Sequence, residues 1–305
     1  MAQILLKSAG FIFIIILGYC LKRCGFFSPR DYAIPMKLVL NVTLPAAVIT
    51  SFASYTPDLS LLLCTVLGLG LNWVQLGTAC LLSRGKERPS RAVWLNSVPG
   101  YNIGAFALPF VQSFLSPASV VACCLFDSGG ALMSTGGTYA VSCAIMKDPD
   151  GMSLKAIGKK LLSSRPFMTY VIMLVLTMAG ISIPQAVVIF ISPIANANAF
   201  LAMMMIGMMF DLKLEKRVLK DVAGMVAVRM TIAVLASLAC YFLLPFDLEI
   251  RQAMAIVVFA PVGVACTALT ETAGGDPAEA ACLNSICMVI SIVCIVTLLA
   301  LFGVL

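Results

Sequence analysis

The chain has 305 residues, of which 61% are hydrophobic and 11% charged, with a net charge of +6 and a mean hydropathy of +1.04. A soluble domain carries roughly 25% charged residues, so this composition excludes a soluble enzyme and reads as an integral membrane protein. The apolar runs are helix length rather than the roughly 10-residue alternating segments of a membrane barrel. The basic residues sit in short loops, which makes them topology signals and not a nucleic-acid surface. There is no histidine, no Cys-x-x-Cys pair and no P-loop, which argues against zinc, against a Ser-His or Cys-His pair and against an enzyme. Most of the twelve cysteines lie inside apolar runs, where a thiol packs as a small hydrophobe.

Taken in chain order, the hydropathy predicts ten spans, at about 4–21, 32–53, 60–82, 92–113, 118–145, 166–181, 186–210, 222–243, 251–271 and 279–303. The first has Lys7 before it and Lys22 and Arg23 after it, with no clear small-x-small cleavage site, so it reads as a retained membrane helix rather than a signal peptide. Connections are short. The longest, 147–165, reads as a cytoplasmic loop joining a first five-helix half (1–146) to a second (166–305). Of the 20 Lys and Arg residues, all except Lys7, Arg229 and Arg251 fall on one side of this scheme. The loops near Pro57, Pro117 and Pro184 carry none. The positive-inside rule makes the basic side cytoplasmic and leaves both termini on the non-cytoplasmic side of a plasma (inner) membrane.

The second span carries Asn41, Thr43 and Pro45. The fourth holds Pro99, Gly100, Asn102, Gly104 and Pro109, a density of helix breakers that hydrocarbon tolerates only where the irregular backbone is buried in protein or lines a cavity. Asn102 lies about ten residues into the span, or about 15 Å at 1.5 Å per residue, close to the midplane. Its amide can donate to and accept from a substrate carboxylate or carbonyl, or it can cap the half-helix that follows. In the fifth span Asp127 is the one deep carboxylate. It reads as a cation or proton site, or as the partner of Arg229 in the eighth span, an arginine that can also reach the interface on its long stem. The seventh span carries Pro193, Asn196 and Asn198, which with Asn41 and Thr43 read as a second polar pair, either at a substrate or ion or holding helices together. The adjoining Met203–Met209 run reads as flexible packing. The ninth is broken at Pro261 and Gly263, and Asn284 lies in the tenth.

A weak internal repeat joins these features. At an offset of 155 Asn41 falls on Asn196 and Thr43 on Asn198; at 157 Asp127 falls on Asn284; at 159 Asn102 and Gly104 fall on Pro261 and Gly263. Halves with an odd number of spans insert with opposite topology, and paired broken helices in inverted halves point to a transporter's binding site. Asn102, Gly104, Pro261 and Gly263 are the first candidates for binding substrate, with Asn41, Thr43, Asn196 and Asn198 next. Asp127 and Asn284 are candidates for a coupled ion, and Pro99, Gly100 and Pro261 for the crossover itself. Half-helix N-termini at such breaks attract anions without any basic side chain. The spacing therefore predicts that Asn102 and Pro261 lie close together.

The chain resembles the auxin efflux carrier family, which includes plant PIN-type carriers and bacterial malonate-type permeases. The likeness rests on Gly18-Tyr19 with Lys22-Arg23, Asn41-Val-Thr-Leu-Pro45, Asn102-Ile-Gly-Ala-Phe-Ala-Leu-Pro109 and Ala260-Pro261-Val-Gly263, in order along nearly the whole chain. It implies an all-α membrane fold of ten helices in two inverted five-helix repeats, with broken helices 4 and 9 crossing at the midplane. It also implies scaffold and transport domains, elevator-type alternating access and a small organic-anion substrate held by Asn102, with Pro261 as the crossover proline. The long cytoplasmic loop of the plant members is missing here, and Gly100-Tyr101 stands where they place a proline before the crossover asparagine. Both differences indicate a bacterial-type member. The reading is a secondary or facilitative transporter of a carboxylate in the lipid bilayer, without a resident cofactor. Coupling to H+ or Na+ and a homodimeric assembly are left open. The competing readings are a sodium-coupled symporter of the bile-acid type and a membrane sensor that binds its ligand without moving it.

Overall fold

A computed structural model describes residues 2–55, 58–147, 153–210 and 217–302. Lys213, Lys216 and Pro57, used above for topology, lie outside the described residues. Every element among those described is helical. The first half holds α1 (Ala2–Arg23), α2 (Ala33–Leu38), α3 (Leu44–Ser54), α4 (Leu62–Leu82), α5 (Arg88–Ser97), α6 (Leu108–Phe114), α7 (Pro117–Leu132) and α8 (Thr138–Met146). The second holds α9 (Leu154–Ser163), α10 (Arg165–Met178), α11 (Gln185–Met209), α12 (Leu219–Leu243), α13 (Leu248–Val257), α14 (Val264–Thr272) and α15 (Pro277–Leu301).

Six helical stretches among the described residues are long and apolar enough to cross a membrane: Ala33–Ser54, Leu59–Leu82, Pro117–Met146, Gln185–Met209, Leu219–Leu243 and Pro277–Leu301. A seventh arises if α9 and α10, bent by 76° at Ser164, are counted as one span. Two of the other expected spans are broken. Those at 92–113 and 251–271 are each split by a non-helical segment, so neither half reaches span length. α1 has the length, with Lys7 in its second turn and Lys22 and Arg23 in its last. Large apolar side chains on the outside of these helices, such as Phe190 (81% exposed), face outward as they would toward lipid.

The connection 147–165, expected as a loop, contains α9. Ser153 caps its N-terminus by accepting from the Ala156 N–H. Ile157 is buried while Lys155, Lys159 and Lys160 are exposed. Mean hydropathy does not reveal a helix of this kind, because Lys155, Lys159 and Lys160 offset its leucines and Ile157.

The helices sort into two groups. α1, α2, α3, α10 and α11 pack on one another, and α4, α5, α7, α8 and α12–α15 form the second group. Glycines permit the closest approaches. A Cβ on Gly18 or Gly207 would enter the facing backbone of the α1–α11 pair, and one on Gly68 or Gly129 that of the α4–α7 pair. The groups meet where α3 and α10 lie against α7 and where α6 lies against α11.

Candidate substrate site

α5 ends at Ser97, and the chain runs without helical hydrogen bonding until a new helical stretch opens at Ile103. Pro99 lacks an N–H, and Gly100 holds φ +98, where a Cβ would be strained and would also sit 3.1 Å from the Cys266 Sγ. In the second half α13 ends at Val257 and α14 opens at Val264, with Pro261 between them. The two breaks meet. The Asn102 N–H donates to the Pro261 carbonyl at 2.9 Å, and the Ser97 and Thr270 hydroxyls share a hydrogen bond of 2.8 Å beside them.

A cavity of about 210 Å³ opens against this junction. Its wall includes Asn102, Gly104 and Gly263 from the breaks, Asp127 from α7, Tyr170 from α10 and Leu44 from α3, so both helix groups contribute. Asn102 is buried, and its Nδ2 has no partner among the described residues. A buried amide donor left unmade costs free energy, which makes this atom the clearest place for an acceptor from a ligand. Ile103, Gly104, Ala105 and Ala265 also line the cavity, so the first turns of Ile103–Phe114 and of α14 bring N-terminal N–H groups to it. Asp127 accepts from the Tyr170 hydroxyl at 2.9 Å. Gly104 gives this pair its room, since a Cβ there would meet Leu44 at 2.9 Å and the carboxylate and phenol at 3.3 Å each. Ser134 and Thr135 join the cavity to a wider vestibule of about 400 Å³ lined by Lys160 of α9.

The remaining residues singled out from the sequence fall elsewhere. Thr43 and Asn198 meet, but away from the cavity: the Thr43 hydroxyl donates to the Asn198 Oδ1 at 2.9 Å. The Asn198 amide donates to the Gln112 Oε1 at 3.1 Å, and the Gln112 amide in turn donates to the Ala195 carbonyl at 3.3 Å. Asn41 bonds its own helix through the Lys37 carbonyl, and Asn196 is exposed. Residues two apart on a helix lie about 200° apart, so neither asparagine shares the inward face of Thr43 or Asn198. Asn284 lies in α15, outside the cavity wall, with its Oδ1 unpartnered. Pro99 and Gly100 lie in the first break, behind the wall. Asp127 and Arg229 do not pair, since the carboxylate takes Tyr170 and the guanidinium takes backbone carbonyls. Nor does Arg229 reach the interface: it is 2% exposed.

Sequence reasoning missed Tyr170, Gln112 and Lys160. Their polar ends are ordinary at helix ends or on aromatic side chains, and nothing local marks them. Among the described residues no cluster of three or more His, Cys, Asp or Glu is arranged to hold a metal ion. No protein-family model and no curated protein matches the chain.

Proposed function

We propose that this chain is a secondary transporter, built as ten spans in two inverted repeats, that moves a small organic anion by elevator-type alternating access. The reading rests first on one observation. Two helix breaks that the repeat makes equivalent are hydrogen-bonded to each other over a cavity in which the Asn102 amide lacks a partner. In such transporters substrate binds at the meeting of broken helices near the midplane. Thr43 and Asn198, a second pair related by the repeat, also touch, as residues near a pseudo-twofold axis would.

The anion follows from electrostatics. Two half-helix N-termini, an amide donor and, farther out, Lys160 all favour negative charge. The cavity is below the roughly 300–1,000 Å³ of drug-sized pockets, which suits a short carboxylic acid. The second helix group would carry the substrate past the first, and membership of the auxin efflux carrier family is part of this proposal. By the same reading the Lys160 vestibule is the cytoplasmic mouth.

Asp127 is the proposed proton site. Its bond to Tyr170 links the two groups, so a proton on the carboxylate would alter both the charge beside the substrate and the contact that movement must break. Uptake into proteoliposomes of short mono- and dicarboxylates, measured with and without an imposed pH gradient, tests this. The expected result is saturable uptake whose pH dependence disappears in Asp127→Asn. A panel that neither binds nor crosses would reject the transporter reading, and an unchanged pH profile in the variant would reject the proton site.

A further inference from the structure

Arg229 lies in α12, 2% exposed, and touches both breaks at once. Its NH1 donates to the Val98 carbonyl and, at 3.0 Å, to the Gly100 carbonyl, while its NH2 donates to the Ala260 carbonyl at 3.1 Å. Val98 and Gly100 follow the end of α5; Ala260 follows the end of α13. These are the ends at which a helix has carbonyls without intrahelical partners and a partial negative charge. The Tyr101 ring covers one side of the guanidinium, with Cζ 5.7 Å from the ring centroid.

Carbonyls of unwound segments and half-helix C-termini are the groups that coordinate sodium in transporters built on broken helices. Here they converge on a side chain. A guanidinium is a cation whose fixed fork can serve several acceptors at once. We propose that Arg229 is a built-in cation in the place of a coupling sodium. It holds the C-termini of α5 and α13 together so that the N-termini of the helical stretches that follow the breaks, Ile103–Phe114 and α14, face the cavity, and the protein binds its anion without an alkali-metal ion. Arg229 is thus a positioning residue: it touches the crossing from behind and not the cavity. The inference deepens the transporter reading and rests on it for the meaning of the crossing, but its test needs no substrate.

The test uses the thermal stability of the purified, detergent-solubilised full chain. Wild-type Tm should be the same in sodium, potassium and choline chloride at one ionic strength; a sodium-specific, saturable rise would overturn the proposal. Arg229→Ala should melt lower, and millimolar methylguanidinium chloride should raise its Tm by ~3 °C or more while leaving wild type unmoved, because a ligand that binds only the folded form stabilises it by mass action. Ethylammonium chloride, which lacks the fork, should do much less. Equal effects of the two cations on the variant, or on variant and wild type alike, would contradict the role of the guanidinium. If Arg229→Ala does not fold, Arg229→Lys replaces it: a Tm equal to wild type would remove the argument from the fork, and a lower one supports it. Failure of every carboxylate to bind or cross, with these ion results intact, would sink the transporter reading and leave the built-in cation standing.

Discussion

The crossing of the two breaks and the node formed by Thr43, Asn198 and Gln112 are alike in most respects. Each joins one half of the chain to the other, each buries an asparagine, and each does so through a hydrogen bond of 2.9 Å. They differ in what is left over. At the node, Asn198 and Gln112 both donate and accept, and no ligand is called for. At the crossing the Asn102 backbone is used and its side-chain amide is not. An unpartnered amide atom alone does not set Asn102 apart, since Asn72, Asn96 and Asn284 each leave an oxygen unmade; what distinguishes Asn102 is that its free donor borders the cavity.

The largest way to break the comparison is Gly100→Val. A β-branched residue at φ +98, pressed against Cys266, should destabilise the crossing by about 2–4 kcal/mol and remove transport. A variant with wild-type melting and transport would show that the break is not held as described. Next is Asn198→Ala, which strands the Thr43 hydroxyl and the Gln112 side chain. A loss of about 1–3 kcal/mol in denaturant unfolding is expected, with the apparent KM for substrate unchanged. A KM shift with unaltered stability would move the node into the site.

Lys160→Gln sharpens the distinction between binding and approach. It should lower uptake by about tenfold or less at low salt and by less as salt is raised, without changing affinity at equilibrium. Salt-independent loss would argue for direct contact. The smallest effect is expected at Asp276, far from both regions, where it caps α15 through the Ala278 N–H and pairs with Arg217 at 2.6 Å. Burial alone would raise its carboxyl, but the cap and the guanidinium outweigh it and hold the group below the usual aspartate range. A depressed folded value contributes stability that is present above the ordinary aspartate pKa and lost as pH falls through the folded one. Melting in mildly acidic buffers should therefore show a step below about pH 4, worth no more than ~1 kcal/mol, that Asp276→Asn abolishes.

Much of this was legible before any coordinates. Proline and glycine act on their own backbone, so Pro99, Gly100 and Pro261 marked both breaks, and the repeat brought Asn102 toward Pro261. What was illegible depended on direction or on distant backbone. Asn41 and Thr43 look alike in a hydropathy profile, yet 200° of helix separates a residue bonded to its own turn from one in the core. For Arg229 the sequence offered two readings, a pair with Asp127 or a reach to the interface, and neither holds. The acceptors of its guanidinium include three backbone carbonyls, and a backbone carbonyl has no letter in a sequence. Of the four expected spans outside the six uninterrupted ones, two, at 92–113 and 251–271, are the broken helices of the crossing, and their halves are too short to span alone.

The most direct test is the thermal response of wild type and Asn102→Ala to a panel of short carboxylates, followed by flux of any acid that binds. The account predicts that at least one acid raises the Tm of wild type, that the same acid leaves Asn102→Ala unmoved although that variant folds, and that wild type carries the acid across a proteoliposome membrane. An equal Tm rise in the variant would place the ligand away from the crossing and contradict the central claim.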